Sequence, residues 1–233
     1  MKTIGILGGM SWESSAVYYQ LLNREVQKRL GGVHSAKLLL YSFDFDEMSA
    51  LQRSGQWDKA DALMAGVAAK LAAGGADFLL IACNTMHCST PAMEKAAALP
   101  LLHIADPLGA AIKRGDLTRV GLIGSAYTME QDGIVKGRLR DRYGIDVITP
   151  EAEDAAETSR IIYEELVRGQ FLEPSRDAYR GIIARLVARG AQGVILGCTE
   201  LPILIKPEDA TVPLFDTTTL HALAAVDLAL QQH

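Results

Sequence analysis

Aromatic residues are scarce. Phe, Trp and Tyr make up 6% of the 233 residues while apolar residues reach 49%, so the interior of this chain is expected to be aliphatic and Ala-rich. Helices packed on a sheet suit that composition better than a β-sandwich. Basic runs are missing too: no tract of five or more Lys or Arg occurs, and the net charge is −5. That leaves no electrostatic footprint for nucleic acid or an anionic membrane. A small anionic substrate is still compatible, because a pocket needs only local positive potential.

Long apolar runs are absent, and none approaches the length of a membrane span. The N-terminal stretch MKTIGILGGMSWESS is interrupted by Gly5, Gly8 and Gly9. It lacks the apolar core and small-residue cleavage site of a signal peptide, so the expected location is cytoplasmic. Cysteine is limited to Cys83, Cys88 and Cys198. An odd number this small builds no disulfide framework, and free thiols are expected. Nucleotide motifs are missing as well. Gly5, Gly8 and Gly9 give G-x-x-G-G, not the dinucleotide fingerprint, and neither a P-loop nor a G-x-S-x-G elbow occurs. A tight turn after a buried strand accounts for these glycines.

What is present is an alternation. TIGILGG (3–9) reads as a strand and 14–30 as a helix; AKLLLYSFDF (36–45) reads as a second strand and 56–73 as an Ala-rich helix. Gly74 and Gly75 then stop that helix before DFLLIAC begins a third strand. This order points to a parallel sheet. The second half repeats it. TRVGLIGSAYT (118–128) resembles KTIGILGGMSW, and RGAQGVILGCTELP (189–202) resembles GGADFLLIACNTMH. Gly121 follows Gly5 by 116 residues, Cys198 follows Cys83 by 115, and Pro213 follows Pro100 by 113. Nearly one offset kept by three separate segments implies two similar α/β lobes. The expected division puts 1–101 with 217–233 in the first lobe and 102–216 in the second. Ligands of parallel sheets bind outside the carboxyl ends of the strands. Two such edges facing one cleft would bring Cys83 and Cys198 to a ligand from opposite sides.

A thiol at a strand's end, just before a helix, sits where the helix N-terminus favours the thiolate. NTMHCSTPAMEKAAA reads as that helix after Cys83, and Thr199 and Glu200 follow Cys198 in the same way. Two thiols across a planar intermediate meet the geometric demand of a racemase: one removes a proton while the other delivers one to the opposite face. Cys88 has no counterpart in the second half, where Ile203 stands, and reads as a small buried hydrophobe. The spacing of Cys83, His87 and Cys88 does not suit a structural zinc site, so no metal is expected. His87 is expected to pack near the helix start and tune Cys83. His34, His103, His221 and His233 have no supporting constellation.

GILGGMSWESSAVYY, CNTMH and GCTELP together resemble the aspartate/glutamate racemase family, and the likeness runs from Thr3 to about Asp227. The resemblance implies two pseudo-symmetric α/β lobes, each a mainly parallel sheet flanked by helices. It implies racemisation without pyridoxal phosphate or any other cofactor. Cys83 and Cys198 become the acid/base pair. Asn84, Thr85, Thr128, Thr199 and Glu200 become donors to the substrate's carboxylate and ammonium, with Met10, Gln52 and Arg53 at the rim. Arg53 and Arg168 are the candidates for the distal carboxylate of a dicarboxylic amino acid. A homodimer is also implied. Some relatives carry Thr at the first catalytic position, whereas Cys83 here allows a two-thiol mechanism. Hydantoin racemase, maleate isomerase or a broad-specificity amino-acid racemase would suit the same two cysteines. An arylmalonate-type decarboxylase resembles a single-thiol site and fits less well. A two-lobed small-molecule binding module needs no reactive thiols.

Overall fold

The computed structural model describes residues 1–231. The order of elements is β1 (Ile4–Gly8), α1 (Trp12–Leu30), β2 (Leu38–Ser42), α2 (Phe45–Arg53), α3 (Trp57–Ala73), β3 (Phe78–Ile81), a 3₁₀ turn (Thr85–Ser89), α4 (Thr90–Ala97) and β4 (Leu101–Leu102). There follow α5 (Ala105–Arg114), β5 (Arg119–Gly124), α6 (Ala126–Glu130), α7 (Lys136–Tyr143), β6 (Asp146–Ile148), α8 (Ala152–Glu164), a 3₁₀ turn (Leu166–Arg168) and α9 (Glu173–Ala188). The chain ends with β7 (Val194–Gly197), α10 (Leu201–Leu204), a 3₁₀ turn (Pro207–Asp209), β8 (Leu214–Asp216) and α11 (Thr217–Leu230). Two compact units result: Met1–His103 with His221–His233, and Ile104–Leu220.

Each unit holds one four-stranded sheet, and the orders match: β2-β1-β3-β4 and β6-β5-β7-β8. Every pairing is parallel. The two α/β lobes anticipated from the repeat are therefore present. In the first sheet the strands alternate strictly. Leu7, Leu79 and Ile81 join one core with Met64, Val67 and Met86, while Ile4, Ile6, Phe78 and Leu80 join another with Tyr18, Leu22 and Val226. Successive side chains of a strand point to opposite faces, so a sheet covered on both sides needs near-continuous apolar strands. That is why IGILG and FLLI carry no polar side chain. In the second unit Ile123, Val194 and Leu196 pack on Ile161, Tyr179 and Ile182.

Two sequence readings are corrected. The second strand stops at Ser42, and Phe45 opens α2 instead of ending a strand. Asp44 caps that helix by accepting from the Asp46 N–H at 3.1 Å. The long helix after Cys83 is broken into a 3₁₀ turn and then α4. Pro91 lies at the start of α4, where its missing N–H costs nothing.

The glycine turn after β1 is tightly built. Gly9 has φ +86°, and a Cβ there would lie 2.4 Å from both the amide nitrogen and the carbonyl oxygen of Phe43. The Gly9 N–H donates to Ser15 Oγ at 2.7 Å. Gly9→Ala meets backbone on both sides and an unfavourable φ. A loss of about 2 kcal/mol or more in stability is expected from urea unfolding.

Candidate active site

Cys83 and Cys198 occupy the same station in the two sheets. Cys83 lies two residues past Ile81, the end of β3, and Cys198 directly follows Gly197, the end of β7. Both are half-buried, and neither is in a disulfide. Cys83 packs on the core that holds Leu79 and Ile81, and Cys198 on the core that holds Val194 and Leu196. Each thiol is thus placed at the carboxyl edge of a strand that is flanked on both sides by others in its sheet. Neither is followed by a long helix: the five-residue turn Thr85–Ser89 follows one and the four-residue α10 the other. The helix-terminus argument for thiolate activation therefore weakens, because the macrodipole needs length.

Around Cys198 the neighbouring group is a carboxylate. Cys198 Sγ donates to Glu200 Oε2 at 2.9 Å, and Thr199 Oγ1 donates to the same oxygen at 3.1 Å. Glu200 is only 2% exposed. A thiolate is a far stronger base than a carboxylate, so the shared proton sits on sulfur and Glu200 carries the charge. Glu200, expected above to meet the substrate's carboxylate or ammonium, is engaged here as an acceptor, which suits the ammonium. An ionised carboxylate accepts; it cannot donate to a substrate carboxylate. Thr128, on the first turn of α6, is buried next to this strand. A Cβ on Gly197 would lie 3.6 Å from Thr128 Cγ2, and the Thr128 and Ser125 hydroxyls are 3.1 Å apart. Burial raises the Tyr179 phenol strongly, with nearby negative charge, that of Glu165 included, adding to it.

Around Cys83 the surroundings differ. Asn84 and Thr85 are buried directly after it. Met10 and Gln52 are buried as well, not at a rim: Met10 shares the core with Met86 and Phe43, and Gln52 Nε2 donates to Met86 Sδ at 3.1 Å. Met10 lies in the turn between β1 and α1, and Gln52 is on the face of α2 that also buries Met48. Arg53 ends α2 with its side chain 67% exposed, 3.9 Å from Asp46, and Arg168 is exposed at the end of its 3₁₀ turn. Among the described residues, neither arginine is hydrogen-bonded to or paired with a group beside the thiols. Cys88 is half-buried beside Ser89, and burial pushes its thiol up.

Sequence reasoning missed a histidine cluster. His87, His103 and His221 are all buried, with ring centroids 4.6 Å (His87–His103) and 5.6 Å (His87–His221) apart. His221 Nε2 donates to the Leu102 carbonyl at 2.8 Å, and its Nδ1 lies 2.9 Å from the Tyr18 hydroxyl. His87 Nδ1 donates to the Cys83 carbonyl at 2.8 Å. A carbonyl oxygen only accepts, so these contacts set both tautomers. His34 is exposed, and His233 lies outside the described residues. Among the described residues no three His, Cys, Asp or Glu side chains are grouped so as to hold a metal ion.

Burial, and then the two neighbouring imidazoles, hold His87 well below the ordinary value of 6.5. The folded ring stays neutral while the unfolded one protonates as pH drops through about 6.5, so the unfolded chain takes up more protons. Stability is complete above that pH and declines below it, by at most about 1.4 kcal/mol per pH unit for this group. Urea midpoints measured at about pH 5 are expected to fall below those at about pH 7.5.

A family model described as Asp/Glu/Hydantoin racemase matches residues 7–225. The chain belongs to this family. Membership makes it an amino-acid racemase-type enzyme of the isomerase class. A Yersinia pestis protein assigned to the Asp/Glu racemases is 49% identical, with a TM-score of 0.91 over 99% of this chain and 100% of that one. An aspartate racemase homologue from Pyrococcus horikoshii OT3 is 31% identical, with a TM-score of 0.84 over 99% and 100% of the two chains. A glutamate racemase from Roseiflexus sp. (strain RS-1) is 30% identical over 206 residues, covering 87% of this chain and 71% of its own. Among the described residues, no helix of this family member is long and apolar enough to cross a membrane.

Proposed function

We propose that the enzyme racemises a free amino acid, aspartate and/or glutamate, with no cofactor and with Cys83 and Cys198 as its two bases. One thiol serves each face of the α-carbon, and their roles exchange with the direction of turnover. The observation that carries this reading is the equivalent placement of the two thiols at the carboxyl edges of β3 and β7 in sheets of identical order. A structural cysteine has no reason to recur at one topological position in both halves. Buried polar side chains follow each thiol: Asn84 and Thr85 in one unit, Thr199 and Glu200 in the other.

In the resting enzyme Cys198 is the protonated partner, because Glu200 holds its proton through the 2.9 Å contact. Cys83 is then the base that starts the reaction. It removes the α-proton of one enantiomer while Cys198 protonates the opposite face. Asn84, Thr85, Thr128 and Thr199 supply donors to the carboxylate on which charge develops. Dicarboxylic substrates are supported by the racemase relatives, with Arg53 and Arg168 as the candidates for the distal carboxylate. Assembly as a homodimer in the cytoplasm belongs to the same proposal.

Incubation of L-aspartate or L-glutamate with the protein in D₂O is the test. Deuterium should enter at the α-carbon as the D-enantiomer accumulates, with no added cofactor. Retained optical purity with aspartate, glutamate and a panel of other amino acids, hydantoins included, would count against racemisation.

A further inference from the structure

The Cys83 side chain has a single rotatable bond to its sulfur, so the backbone at residue 83 sets where the thiol lies. That backbone stands beyond the sheet. Register between β1 and β3 ends at Leu7 and Ile81, and the last rung is the Ala82 N–H donating to the Leu7 carbonyl at 2.9 Å. In the second unit the equivalent carbonyl, that of Cys198, accepts from the backbone N–H of Leu201 at 3.2 Å. In the first, the Cys83 carbonyl accepts from a side chain, the His87 imidazole, at 2.8 Å. His87 also donates its own backbone N–H to the Asn84 carbonyl at 3.2 Å. One residue therefore ties down two consecutive peptides immediately after the strand.

We propose that His87 is the positioning residue of Cys83, and that His103 and His221 hold its ring in place. This rests on the reading of Cys83 as a catalytic base. His221 is fully committed: Nε2 to the Leu102 carbonyl at the end of β4, Nδ1 to the Tyr18 hydroxyl on α1. Its ring meets Tyr18 edge-on at 5.8 Å. His103 follows β4 and packs against His87 at 56°. The imidazole that grips the Cys83 peptide is thus braced by residues from β4, α1 and α11. Leucine or phenylalanine would fill the same interior without burying polar ring atoms, which cost free energy unless bonded. Retaining three imidazoles there is explained by the bond that His87 makes.

The test compares His87→Phe, which fills the space without a donor, with His87→Asn, whose amide N–H stands near the position of Nδ1–H. Both are assayed for racemisation of whichever amino acid the wild type turns over, with circular dichroism and melting curves to verify folding. Displacing a reacting group by about an ångström costs about 100-fold, so His87→Phe should lower kcat by about that factor with KM within about threefold of wild type. His87→Asn should recover about tenfold or more of that loss. A folded His87→Phe with wild-type kcat would overturn the proposal, as would a folded His87→Asn as slow as His87→Phe. If His87→Phe does not fold, His87→Asn decides alone: kcat within about tenfold of wild type supports positioning, and no turnover by folded protein refutes it. Cys83→Ser runs in the same assay. Activity in that variant would overturn the reading of Cys83 itself, whereas an inactive Cys83→Ser beside a fully active His87→Phe removes only the role of His87.

Discussion

Cys83→Ser and Cys198→Ser are each expected to reduce racemisation by about 10³-fold or more in both directions, with the fold intact. A positioned acid or base contributes about 10²–10⁴-fold, and a serine hydroxyl is too weak an acid to replace a thiolate. Each sulfur is half-buried at a strand edge, so the exchange of sulfur for oxygen leaves the packing on either core nearly unchanged. The variants should differ from each other in one respect. A protein with only one thiol can still exchange the α-proton of the enantiomer that presents its proton to that thiol. In D₂O, therefore, each variant should wash deuterium into one enantiomer without inverting it, and the two variants should choose opposite enantiomers. Near-normal interconversion by either variant would rule out the two-base mechanism. Exchange of both enantiomers by one variant would rule out the one-thiol-per-face arrangement.

Glu200→Gln is expected to lower kcat by about 10- to 100-fold and to move the alkaline fall in activity to lower pH. The buried carboxylate accepts from Cys198 Sγ at 2.9 Å and from Thr199 Oγ1 at 3.1 Å. Its negative charge disfavours a second negative charge on sulfur and so keeps the proton there. Gln is nearly isosteric and can still accept the thiol's hydrogen bond, but it carries no charge. Cys198 then loses its proton more readily, and the form poised to donate becomes scarcer as pH rises. The sign follows directly: removing a like charge favours the thiolate. The two enantiomers have equal free energy in solution, so kcat/KM must stay equal in the two directions whatever the substitution. Any imbalance appears in kcat and KM separately, and kcat for the enantiomer that needs Cys198 as acid is the one to drop further. An unchanged pH profile with a uniform loss in both directions would mean that Glu200 only supports the local fold.

The comparison of sequence with structure separates along physical lines. The parallel α/β plan was legible because apolar runs such as FLLI, broken by glycine turns, report local geometry and burial on both faces. The duplication was legible because Cys83 and Cys198 keep one spacing with the segments around them. Helix ends were less so: Pro91 divides the helix after Cys83, and Asp44 starts one inside an apparent strand, since capping competes with propensity over a few residues.

The surroundings of the two thiols belong to tertiary structure. Glu200 lies two residues from Cys198, yet only the turn of the backbone aims its carboxylate at sulfur and not at solvent. Gln52 read as a rim residue because polarity does not report which face of α2 packs inward, and Met10, in the turn after β1, because position in sequence does not report what packs over that turn. The histidine cluster was hidden for the plainest reason. Tyr18 and His221 are 203 positions apart, and no periodicity links them to His87. By itself the sequence determined the sheet type, the repeat and the matching strand-end positions of the two cysteines, because each is written in neighbouring residues or in a nearly constant spacing. The tertiary structure alone decided how each thiol-bearing residue is held, Cys198 by a carboxylate aimed at its sulfur and Cys83 by an imidazole on its carbonyl, because the backbone turns after both strands, and the distant Tyr18, His103 and His221 around His87, take these positions only in the packed chain.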